Sequence, residues 1–182
     1  PRSSSAASDV YKRQAEASAR GVQMRGQVGA RAVGLMLGLE ATLHPFMFSE
    51  PYQAIADRPL AERVAVMRDP ELRRKIIEGA RDDDTSLGSR AIHRYRFIFQ
   101  LGDPPNYEPD PSTSVEAIAR REGREPLDLL YDWMLENDGH ALLYQPILNW
   151  FGENLDAVGE MLRHPATVPG LSDGGAHVGT IC

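Results

Sequence analysis

From Tyr95 onward the chain alternates strand-favouring and helix-favouring stretches, and this alternation restricts its fold more than any other feature. Tyr95 to Leu101 (YRFIFQL) has the aromatic and aliphatic composition of a strand. The next stretch, Gly102 to Pro111, holds four prolines and reads as a loop. Thr113 as N-cap with Glu116 behind it forms a capping box that opens a helix to about Glu122, and Gly123 stops it. Pro126 starts another helix, with Leu127, Leu130, Tyr131, Met134 and Leu135 on one face. Trp133 and Met134 on that helix are expected in the core. Ala141 to Tyr144 reads as a buried strand, Asn154 to Leu162 as a helix with Leu155, Val158 and Leu162 inward, and Thr167 to Leu171 as a last strand. Such an order implies parallel strands joined by crossovers, hence the α/β class. The strands are too few to close a barrel, so the reading is part of a (β/α) barrel.

The first half carries weaker signals. Val22 to Val28 reads as a short strand, followed by an apolar stretch from Ala32 to Leu43. Phe46 to Pro59, aromatic and interrupted by proline, is expected to be an ordered loop. Leu60, Val64 and Met67 recur at helical spacing, and Asp69 is the N-cap of a further helix that begins at Pro70 and runs to about Arg81. Asp82-Asp83-Asp84 lacks the alternating oxygens and central glycine of a calcium loop, so it is read as a solvated turn.

Composition excludes several function classes. A net charge of -6 argues against a nucleic-acid partner. No apolar run approaches the roughly 20 residues needed to span a bilayer, and no basic start leads into an apolar stretch. The single cysteine, Cys182, rules out an internal disulfide framework and a Cys-rich zinc site. A cytoplasmic protein with a small-molecule substrate and no membrane or nucleic-acid partner is the expectation. Nothing in the sequence sets the oligomeric state.

Ser4 to Gln14 (SSAASDVYKRQ) resembles the in-frame translation of a sequencing-library transposon adapter. Residues 1–14 are therefore set aside as a non-native tail, and 15–182 are read as part of one domain, truncated at both ends.

Asp173 is the residue best placed for chemistry. It follows an apolar strand and precedes Gly174 and Gly175. In parallel α/β folds the C-terminal ends of strands face the active site, and the glycines let the backbone turn sharply beside a ligand. A tight turn with Asp as its hydrogen-bonding corner explains the same residues. A phosphate-binding turn is disfavoured because no Lys or Arg lies near the glycines.

The longer run Pro165 to His177 (PATVPGLSDGGAH) resembles the last-strand motif of the amidohydrolase superfamily, in its N-acyl-D-amino-acid deacylase branch. Gln27-Val28 with Arg31, the segment Thr42-Leu43-His44-Pro45-Phe46, and Ala141 to Trp150 resemble the same branch, so the likeness covers about residues 20–182. It implies the C-terminal strands and helices of a (β/α)8 TIM-type barrel with a small flanking β domain. It also implies one or two zinc ions, which lower the pKa of a bound water toward neutrality. In that scheme Asp173 takes the proton from the water, passes it to the leaving amine, and is a candidate metal contact. Gly174 and Gly175 shape the backbone beside the scissile amide. Arg31 can hold a substrate carboxylate or serve in a surface ion pair. His177 can contact substrate or pack its own loop. Tyr144 and Asn149 are candidate pocket residues, and His44 reads as a structural histidine.

The departures from the pattern are specific. The family's early His-x-His pair, its bridging cysteine or carboxylate and its strand-borne ligand histidine are missing, and the resemblance places them upstream of residue 15. The five histidines, His44, His93, His140, His164 and His177, show no two- or four-residue spacing. The chain alone is expected to bind zinc weakly and to lack activity. A cyclic-amide hydrolase and a non-catalytic barrel relative that acts as a binding protein are the alternatives.

Overall fold

A computed structural model describes residues 5–81 and 92–170. The acidic run Asp82-Asp83-Asp84 and everything from Leu171 onward lie outside the described residues. Seven named α-helices are present among them: α1 (Ser5–Ala19), α2 (Glu50–Gln53), α3 (Leu60–Met67), α4 (Pro70–Arg81), α5 (Val115–Glu122), α6 (Pro126–Leu135) and α7 (Asp156–Arg163). The strands are β1 (Gly26–Gly29), β2 (Val33–Leu37), β3 (Phe99–Gln100), β4 (Leu143–Leu148) and β5 (Thr167–Gly170). None of these helices is long and apolar enough to cross a membrane.

Local chemistry explains the helix ends. The Asp69 carboxylate accepts from the backbone N–H of Leu72 at 2.9 Å and of Glu71 at 3.1 Å, so it caps α4 as expected. The cap of α5 is Ser114, whose hydroxyl accepts from Ala117 N–H at 3.2 Å. Thr113, the expected cap, instead donates its hydroxyl to the Asp110 carbonyl at 2.7 Å within a short 3-10 turn, Pro111–Thr113. Gly123 ends α5 in the left-handed conformation, φ 65° and ψ 34°. Phe46 to Pro59 is not loop throughout, because α2 winds one turn within it.

Two sheets form. β1 and β5 pair in parallel, from Gly26 opposite Thr167 to Gly29 opposite Gly170. β2, β4 and β3 form a three-stranded sheet in that order, with both pairings antiparallel. This corrects the expectation of parallel strands from Tyr95 onward. A single helix returns the chain to start a parallel strand, but α5 and α6 lie together between β3 and β4 and pack against each other. The long strand expected at Tyr95 to Leu101 is also cut short. Tyr95–Phe97 winds into a 3-10 turn, with the Arg94 guanidinium 4.6 Å from the Phe97 ring centre. The expected strand at Ala141 to Tyr144 begins later and extends further, as β4. The fold is mixed α/β with small sheets, and no closed barrel forms among the described residues.

The three-stranded sheet separates two apolar clusters. Alternation along β2 sends Leu35 and Leu37 to the larger core and Met36 to the smaller cluster. β4 does the same with Leu143 and Tyr144. The larger core holds α6, which buries Leu127, Leu129, Leu130, Tyr131, Trp133 and Met134. Its apolar face is wider than the spacing implies, because α3, α4 and α5 surround it. Tyr131 joins several of these elements. Its hydroxyl donates to the Met67 carbonyl at 2.8 Å, its ring meets Phe46 edge-on, and the Arg73 guanidinium stacks over it at 5.0 Å. Arg73 and Arg124 both bond the Asp132 carboxylate. Burial pushes that carboxyl up, but the hydrogen bonds and charges of the two arginines outweigh it, and the net shift is downward.

Candidate functional site

The parallel pairing of β1 with β5 matters most for the site. Gly170 lies opposite Gly29, so the two strands end together at the same edge of the ladder. Arg31 follows just beyond β1, and the sequence continues from β5 to Ser172 and Asp173. Asp173, Gly174, Gly175 and His177 themselves lie outside the described residues. Close approach at this end depends on Gly170, where a Cβ would stand 2.7 Å from the Gln27 Cβ.

The entry to β5 is braced from three directions. The Ala166 carbonyl accepts from Gly26 N–H at 2.9 Å and from the Gln14 side-chain amide at 3.1 Å. The Arg25 guanidinium donates to the Pro165 carbonyl. The Thr167 hydroxyl lies 2.7 Å from both the Met161 and His164 carbonyls, and His164 Nδ1 accepts from Ala166 N–H at 3.2 Å. The last strand is thereby tied to α7 and to α1.

Arg31 stands at the head of an aromatic chain. Its guanidinium lies 4.8 Å above the Tyr107 ring, which meets the Tyr144 ring edge-on at 5.7 Å and 89°. Tyr144 is buried, and burial pushes its phenol up to about 12, against the Arg31 charge and with that of Tyr107. Its ring fits only because residue 34 is glycine. A Cβ there would sit 2.6 Å from the Gln145 carbonyl oxygen and 2.8 Å from a Tyr144 ring carbon. Tyr144 and Trp150 belong to one buried cluster with Ala32, Met36 and Leu101. Neither the Tyr144 hydroxyl nor the Trp150 indole N–H has a hydrogen-bond partner among the described residues.

The sequence-predicted candidates thus separate. Arg31 and Tyr144 come together. Asn149 turns the chain just past the end of β4 with φ 58°, a conformation asparagine tolerates. Tyr107 and Trp150 were not singled out by the sequence. Tyr107 sits in a proline-rich loop whose only visible signal is its own aromatic ring.

The described histidines do not converge on a metal site. His44 is buried, its Nδ1 accepts from Phe46 N–H at 3.3 Å, and its ring packs edge-on to Tyr52 at 4.5 Å. Burial, then the Arg63 charge, pushes its pKa down to about 3, so it is a neutral structural residue. His93 Nε2 lies 3.3 Å from the Pro45 carbonyl, and exposed His140 lies 2.7 Å from the Glu40 carboxylate. Among the described residues no group of three His, Cys, Asp or Glu side chains is arranged to hold a metal ion. Comparison with protein-family models, curated proteins and solved structures finds no match to this chain.

Proposed function

We propose that this chain is the C-terminal part of a metal-dependent amidohydrolase of the N-acyl-D-amino-acid deacylase kind, a partial (β/α)8 TIM-type barrel in which β1 and β5 are neighbouring parallel strands. The observation that supports the reading is their shared C-terminal edge, from which the Ser172-Asp173-Gly174-Gly175 motif and Arg31 both continue. The reaction is hydrolysis of a linear amide C–N bond on a small cytoplasmic substrate. Asp173 accepts a proton from the attacking water and delivers it to the leaving amine. Gly174 and Gly175 keep the backbone low beside the amide, with His177 beyond them as a further substrate contact. Arg31 attracts the substrate carboxylate.

The described residues do not fit a zinc site by themselves, since no three donors converge. In this reading Asp173 is at most one ligand, and the others come from protein outside this chain. The test is Asp173→Asn in the full-length protein that carries this sequence, assayed on N-acyl-D-amino acids with bound zinc quantified. The expected loss of turnover is on the order of 10²–10⁴-fold with zinc retained. Undiminished turnover with zinc bound overturns the proton-transfer role.

A further inference from the structure

The turn Glu136–Gly139, between α6 and β4, holds three successive residues on the left-handed side of backbone space: Asn137 at φ 49°, Asp138 at φ 51° and Gly139 at φ 86°. That conformation strains any residue but glycine, and asparagine and aspartate bear it best. Packing asks for glycine at 139 as well. A Cβ there would stand 2.5 Å from Val64 Cγ2 and 3.1 Å from Leu60 Cδ1, both on α3, and 3.3 Å from Leu39 Cδ1. The residue after Asp138 therefore has no side chain to screen its own backbone nitrogen. The Asp138 side chain is 87% exposed, and its carboxylate meets the exposed Arg68 guanidinium at 3.2 Å, a surface pair that holds it weakly. The turn belongs to no sheet ladder, so rotating the 138–139 peptide disturbs only a local loop closed by the His140 N–H bond to the Asn137 carbonyl at 3.0 Å. An exposed carboxyl, an unscreened amide nitrogen next to it and a strained link between them are the three conditions for a backbone rearrangement.

We propose that Asp138 isomerises spontaneously to isoaspartate and that the change loosens the joint between α3, α6 and β4. The Gly139 nitrogen attacks Asp138 Cγ and an N–Cγ bond forms. One carboxyl oxygen leaves as water, with the amide proton and a proton from solvent, and a succinimide ring results. Water then adds to the former backbone carbonyl of Asp138, its bond to the Gly139 nitrogen breaks, and the chain runs on through Cγ. Mass is unchanged, but the backbone gains one atom and the free carboxylate now sits on Cα. Strain favours the product, because the longer link no longer holds an L-residue at φ 51°. The added atom has no room, since buried Gly139 sits against Val64, Leu60 and Leu39. His140, the next residue, is displaced from the Glu40 carboxylate that it meets at 2.7 Å. The partner that fits the product is a carboxyl methyltransferase that recognises isoaspartate and takes its methyl group from S-adenosylmethionine.

The test ages the purified chain for weeks at neutral pH and body temperature. An isoaspartate-specific methyltransferase then transfers a labelled methyl group from S-adenosylmethionine, and peptide mapping with electron-transfer fragmentation locates the site. Mapping also separates the other Asp-Gly pair of the sequence, Asp173-Gly174. Label is expected to accumulate at Asp138 and to stay at background at Asp128 and Asp156, which lie in α6 and α7 ahead of Leu129 and Ala157. Asp138→Glu keeps the charge but needs a larger, slower-closing ring, so label on this peptide falls to background. Asp138→Asn closes the same ring with ammonia as the leaving group, and its conversion to aspartate and isoaspartate outpaces the parent. The modified fraction melts below the fresh chain. No label at Asp138, equal label at Asp128 or Asp156, label retained in Asp138→Glu, an Asp138→Asn chain that stays intact, or a modified fraction that melts with the fresh chain each overturns the proposal.

Discussion

Gly34→Ala tests the join between β2 and β4, on which the placement of Tyr144 depends. An added Cβ meets the Gln145 carbonyl oxygen at 2.6 Å, the Gln145 carbonyl carbon at 3.2 Å and a Tyr144 ring carbon at 2.8 Å. The ring is buried and packs edge-on against Tyr107, which limits its room to move. The carbonyl belongs to β4, the central strand of the sheet, where Gln145 lies opposite Leu35 of β2, so it moves only with that ladder. Overpacking of a tight interior costs about 1–3 kcal/mol. The smaller entropy of an unfolded alanine chain returns about 0.4–1 kcal/mol. The net is a loss of roughly 1–2 kcal/mol, and for a domain of this size each kcal/mol lowers the melting temperature by about 2–4 °C. Circular dichroism in the far ultraviolet would follow the melting, and the near-ultraviolet signal would follow the tyrosines. A melting temperature within a degree of the parent refutes the reasoning. So does full rescue by Tyr144→Ala, because the backbone contact with Gln145 would remain.

Two further predictions concern stability. His44 has a folded pKa of about 3 against an ordinary value of 6.5, so the unfolded chain binds the proton first as pH falls. Its contribution is whole above pH 6.5 and is lost by about 1.4 kcal/mol per pH unit on descent toward pH 3. Urea unfolding at a series of pH values should show this slope, and His44→Asn should flatten it; an identical slope in the variant removes His44 as the cause. Tyr131→Phe leaves the buried Met67 carbonyl without its 2.8 Å donor. A loss of about 1–2 kcal/mol in urea unfolding is expected, and an unchanged midpoint would show that the bond adds nothing net.

Features that depend only on neighbours along the chain were legible in the sequence. Asp69 caps its own helix and Pro70 and Pro126 begin theirs, because a cap acts within one turn and proline fixes its own φ. Gly123 stops α5 for the same reason, since a left-handed residue favours glycine wherever it lies. Met134 was legible as core from helical spacing, and Trp133 from its being a large apolar residue on the same helix. The register error at the α5 cap shows how fine the local competition is: Thr113 was taken by the Asp110 turn, leaving Ser114 to cap. Strand direction was not legible, because it depends on how α5 and α6 pack before the chain reaches β4, and that is set by contacts distant in sequence. The same holds for the candidate site. Arg31 and Tyr144 could be singled out one at a time from their residue types, but their meeting through Tyr107 could not. Only tertiary structure folds the proline-rich loop over β4, where burial withholds water from the Tyr144 hydroxyl and the Trp150 N–H and leaves both without an acceptor among the described residues.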